Sequence, residues 1–173
     1  MGLHFFPPSL RIGLWFALML GLSSESCLAP QTAREPIRAE RARLADKYIR
    51  EKLPFWQKRL ALQDWKVSVF MVHPADLRQR TLGNIHWDPD KKTAVIHVMD
   101  AADYQTSFRD AVNDMEFTVV HELIHLEMVS LPRSEASHSE EEHVINHLAD
   151  ALLQFDRKDH PSGALSVDSA LDE

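Results

Sequence analysis

Between Glu116 and Val129 the chain is apolar on nearly every helical face except where His121, Glu122 and His125 fall. A helix apolar all round belongs inside a protein, so this segment fixes the centre of any fold the chain can adopt. Burying three ionisable side chains there is costly unless something pairs with them. Their order, His121-Glu122-Leu123-Ile124-His125, sets two imidazoles one turn apart beside a carboxylate. Neutral imidazoles at that spacing suit a divalent cation, zinc above all, and the intervening acid is placed to act as a base on water held by the metal. The expectation is a zinc-dependent hydrolase of peptide bonds, with His121 and His125 as ligands and Glu122 as catalytic base.

Around this helix there is room for one domain. The 173 residues are 45% apolar and 26% charged, enough for a single soluble core. A net charge of −7 leaves no basic footprint, which argues against nucleic acid and anionic membrane as main partners. A peptide or protein substrate and a monomeric chain are expected instead.

Residues 1–26 read as a signal peptide. Arg11 precedes an apolar run from Ile12 to Leu22 that is short for a bilayer span and ends in small polar residues. Cleavage after Ser24-Glu25-Ser26 leaves Cys27 first, so the expected location is the periplasm or outside the cell, with no stable membrane insertion after processing. An uncleaved membrane anchor is the alternative for this run. Cys27 is the chain's one cysteine, so no internal disulfide is available and core packing must hold the fold. Lipid attachment at Cys27 is the minor alternative, because Glu25 sits where a lipoprotein junction has small residues.

The domain is expected over residues 27–156, followed by a disordered tail at 157–173 that lacks any apolar pattern. Glu35 to Leu62 has helical spacing through Ile37, Leu44, Tyr48 and Ile49, with Pro54 expected to end or bend it. Its charge run from Arg38 to Arg43 reads as a solvated face. Trp65 to Val72 alternates as a strand. Gly83 to Trp87 and Thr93 to Met99 read as a hairpin around Asp88-Pro89-Asp90-Lys91. Asp100 to Asn113 reads as a loop or short helix, the long helix as roughly Asp114 to Ser130, and a last helix as about Ser139 to Phe155. The last helix has an apolar stripe through Val144, Ile145, Leu148, Ala149, Leu152 and Leu153. This order gives an α+β domain with a small, mostly antiparallel sheet.

A catalytic zinc usually takes three protein ligands and keeps one position for water. The metzincin solution is excluded, because Met128 and Leu131 occupy the positions of its glycine and third histidine. Glu140-Glu141-Glu142 opens the last helix, but Ser139 with Glu142, or Ser137 with Glu140, also fits a capping box that would occupy the carboxylate. Spacing alone leaves Glu141 nearly as good a ligand as Glu142.

From Leu62 to Phe155 the chain resembles the small single-domain gluzincin-type zincins. The resemblance rests on His121-Glu122-x-x-His125 followed by Glu142-x-x-Ile145-Asn146-x-Leu148-Ala149-x-x-Leu152-Leu153. It implies a zincin-like domain in which Glu142 is the third zinc ligand, Asn146 orients a ligand imidazole, and the strand before the active helix is the edge strand. The short connection from Leu126 to Glu142 departs from that family's pattern and leaves the wall of the substrate cleft unassigned.

The expected mechanism has Glu122 take a proton from metal-activated water and return it to the leaving amine. Tyr104, His97 and His138 are unranked candidates for an oxyanion donor. The strand over Ala94 to Val98 is a candidate for pairing with extended substrate. The rival class is a non-catalytic zinc module, or a pseudo-peptidase, that binds a partner. A structural zinc needs a fourth protein ligand, for which His138, His143 and His147 are candidates.

Overall fold

A computed structural model describes residues 31–78, 81–131 and 138–159. The expected signal peptide with Cys27, and the tail beyond Asp159, lie outside the described residues. The elements run α1 (Gln31–Arg59), β1 (Lys66–Val72), β2 (Gly83–Asp88), β3 (Thr93–Met99), α2 (Phe108–Glu127) and α3 (His138–Asp159). Single 3-10 turns cover Pro74–Asp76, Ala101–Asp103 and Met128–Ser130. The chain is therefore α+β, as its pattern indicates. No helix among the described residues is long and apolar enough to cross a membrane.

Helix α1 buries Ala45, Ile49 and Trp56 along one face. It does not end at Pro54, which lies inside it. Packing of Ile49 and Trp56 on either side offsets the missing backbone donor. The stop comes later, where Ala61 takes φ 54° and the Leu62 N–H donates to Gln57 O at 2.8 Å, a left-handed cap that glycine usually supplies.

The sheet corrects the expectation of a mostly antiparallel arrangement. Its order is β1-β3-β2, with β1 parallel to β3 over seven residue pairs and β2 antiparallel to β3 over six. The hairpin of β2 and β3 forms as its turn residues indicate, but the chain leaving β1 crosses to the far edge before entering β2. That leaves the centre to β3. Both edges of Ala94 to Val98 are therefore occupied, and that strand is not free to pair with a substrate. Ala94, Ile96 and Val98 point inward and are buried, joined by Val69 of β1.

Helix α2 starts six residues earlier than Asp114. Ser107 caps it, accepting from the Asp110 N–H at 3.1 Å and donating to the Asp110 carboxylate at 2.8 Å. Helix α3 starts at His138, so Ser139 lies inside the helix and is not its cap. Ile145, Ala149 and Leu153 are buried, while Val144 and Leu148 are about half exposed, so the apolar stripe is narrower than its sequence suggests. The helix also runs three residues past Asp156.

A buried polar cluster ties the helices together. Glu116 on α2 accepts from Tyr48 Oη at 2.7 Å and Trp56 Nε1 at 2.9 Å, both on α1. Lys52 lies 3.5 Å from Glu116 and 3.4 Å from Asp156 on α3. The Tyr48 hydroxyl is pushed well above the usual phenol range by burial and by the Glu116 carboxylate. These bonds set the angle of α1 against the two helices that carry the site.

Candidate metal centre

His121 and His125 occupy successive turns of α2 with ring centroids 4.8 Å apart. Their Nε2 atoms are 3.1 Å apart. Glu142, in the second turn of α3, faces both: Oε1 is 3.0 Å from His125 Nε2 and Oε2 is 3.3 Å from His121 Nε2. With one atom taken from each residue, the three donors lie within 4.8 Å of one another. Donors about 2.0–2.2 Å from one tetrahedral zinc stand about 3.3–3.5 Å apart, so this set fits a zinc ion. Among the described residues it is the sole cluster of three or more such donors.

The opposite edge of each ring is engaged as well. His121 Nδ1 meets Asn146 Oδ1 at 3.0 Å, one turn along α3 from Glu142. His125 Nδ1 faces Glu141 Oε1 at 3.5 Å. The Asn146 acceptor favours, for His121, the tautomer that leaves Nε2 for a metal, while at His125 the Glu141 carboxylate stands at ion-pair distance from Nδ1. Glu142 and Glu141 thus divide the work between the two sides of the rings. The buried line through Ile145, Ala149 and Leu153 sets the rotation of α3 that makes this division.

Glu122 is buried on the same helix. Burial first, then the nearby Glu142 carboxylate, push its pKa up to about 7, and Arg78 works against them. A divalent cation beside it would oppose that rise.

The wall that sequence left unassigned is β2. Together with Arg78 and Leu82 it faces Phe117, Thr118, His121, Glu122 and His125 of α2 and Glu142 and Asn146 of α3 across a cleft of about 610 Å³. That size lies within the range of about 300–1,000 Å³ typical of ligand sites. Gly83 brings β2 close to α2. A Cβ on it would collide with Thr118 Cγ2 and lie 2.7 Å from His97 O and 3.7 Å from Glu122 Oε1. Close approach of a strand to α2 was not readable from sequence; the glycine at the head of β2 is the only signal that could have marked it.

The residues His121, Glu122, His125, Glu142 and Asn146 all line this one cleft; spacing grouped the first three, and the zincin resemblance named the last two. Tyr104 and His97 do not line the cleft. His97 instead meets Asn84 across the sheet at 3.2 Å, and Tyr104 is buried with no hydrogen-bond partner for its hydroxyl. His143 and His147 are exposed on α3 and line no part of the cleft. The side chain of His138 lies outside the described ones. No family model, curated protein or solved structure matches this chain.

Proposed function

We propose that this protein is an exported zinc-dependent peptidase that hydrolyses peptide bonds in the cleft between α2 and β2. The reading is carried by one observation: His121 Nε2, His125 Nε2 and the Glu142 carboxylate converge, with buried Glu122 beside them in the same cleft. Three protein donors are the complement of an open catalytic zinc site, whereas a structural zinc uses four.

When bound, zinc supplies Lewis acidity toward water and toward the substrate carbonyl. Glu122 accepts a water proton on its carboxylate and passes it to the nitrogen of the departing amine. Burial suits it to both steps, since a desolvated carboxyl holds a proton near neutrality more readily than an exposed one. Asn146 and Glu141 keep the two rings from rotating. Strand β2 lines the cleft and pairs only with β3 among the described residues, so its outer edge is offered to extended substrate backbone. Export rests on the leader pattern of residues 1–26.

The test is metal analysis of the purified chain together with cleavage of casein and a peptide library, with and without chelator. Cleavage that disappears with chelator and returns with zinc supports the reading. A zinc-loaded chain that cleaves neither overturns it.

A further inference from the structure

His143 and His147 are the one motif of the chain that the proposed chemistry leaves unused. They stand four residues apart in the middle of a 22-residue helix, the same spacing as His121 and His125. Both are exposed. Their ring centroids are 4.4 Å apart with an interplanar angle of 62°. For the pair on α2 the values are 4.8 Å and 68°. The two helices thus present imidazole pairs of nearly the same geometry, one facing the cleft and one facing solvent.

We infer that His143 and His147 form a second metal site on the outer face of α3, taking an imidazole-preferring divalent ion such as Zn²⁺, Ni²⁺ or Cu²⁺. The helix places the two residues one turn apart on the same face with their rings 4.4 Å apart, within reach of one bridging ion. No hydrogen bond or ion pair within the described residues holds either ring, leaving the nitrogens available to a metal. Imidazole donors select these ions over Mg²⁺ and Ca²⁺, which prefer oxygen. The difference from the cleft is the absence, among the described residues, of a third donor close enough to complete a cluster. Solvent fills the remaining positions, so the outer ion is held more weakly and exchanges faster than one held by three protein groups. The site does not depend on the peptidase reading, since it shares no donor with the cleft.

Calorimetric titration of the metal-stripped chain with Zn²⁺ tests this. The wild type binds two ions per chain, one tightly and one weakly. His143→Ala and His147→Ala each lose the weak ion and keep the tight one, and because both positions are exposed neither change threatens folding. Cu²⁺ added below one equivalent to the zinc-loaded chain broadens the ring-proton resonances of His143 and His147 before those of other histidines. Unchanged stoichiometry in both variants, or broadening that starts elsewhere, overturns the site. A single ion that vanishes with His143→Ala upholds the outer site while removing support from the inner one, so the two failures are distinguishable.

Discussion

Glu141 faces the Nδ1 atom of His125 at 3.5 Å, on the side of the ring away from Glu142. Neighbouring acids on one helix turn therefore meet different edges of the same imidazole. On the proposed zinc reading, Glu142 shares in coordination and Glu141 steadies the ring. Glu142→Ala should abolish tight zinc binding, whereas Glu141→Gln should retain the ion with affinity lowered about 10- to 100-fold. Competition against a chromophoric chelator reads both. Equal losses in the two variants would show that the division does not exist.

Glu122→Gln keeps the size of the side chain and removes its basicity. Zinc content should remain, while peptide hydrolysis should fall by about 10²- to 10⁴-fold. Full activity in this variant would remove Glu122 from the chemistry.

If zinc is bound as proposed, its removal should also be felt by the fold, because the candidate donors come from two packed helices. Chelator should lower the thermal midpoint and zinc should restore it, since a ligand that binds only the folded chain stabilises it. In Glu142→Ala the midpoint should no longer respond to zinc.

The cluster around Glu116 is a structural staple. Glu116→Ala strands the Tyr48 hydroxyl and the Trp56 N–H, while Lys52 keeps Asp156. The cost should be about 1–3 kcal/mol for each stranded donor, read as a lowered urea midpoint. A change near zero would mean that water replaces the carboxylate without loss.

His73 bonds Asp103 through Nδ1 at 2.7 Å, and this hydrogen bond and charge raise its pKa above 6.5. A raised histidine pKa stabilises the fold at pH below the unfolded value, and the contribution disappears as pH rises through the folded value. Asp103→Asn should therefore lower the ring titration midpoint seen by NMR. Its stability difference from wild type should be larger near about pH 5 than near about pH 9.

Local periodicity carried most of the site. His121, Glu122 and His125 lie within five residues, so a helix alone arranges them, whereas Glu142 with Asn146 was singled out by the resemblance to zincins and not by spacing. Choosing between Glu141 and Glu142 required the roll of α3, which depends on Ile145, Ala149 and Leu153 being buried while Val144 and Leu148 stay half exposed. All five are apolar, and sequence gives them equal claims. The wall formed by β2 was hidden for a different reason. Strand order arises from pairing across the chain, and a hairpin signal names only the partner next in sequence. The cap at Ser107 was readable from Ser107 and Asp110, and only the weak apolar pattern before Asp114 obscured it.

The contact between Gly83 and Thr118 offers a way to sort distant sequences. No carbon fits at residue 83 while a branched side chain occupies residue 118 and the helix keeps its seat. A distant sequence with the same histidine spacing but a bulky residue heading the corresponding strand must have a wider gap between strand and helix. These two positions, read together, therefore sort candidate kin by the breadth of their groove before any coordinates exist.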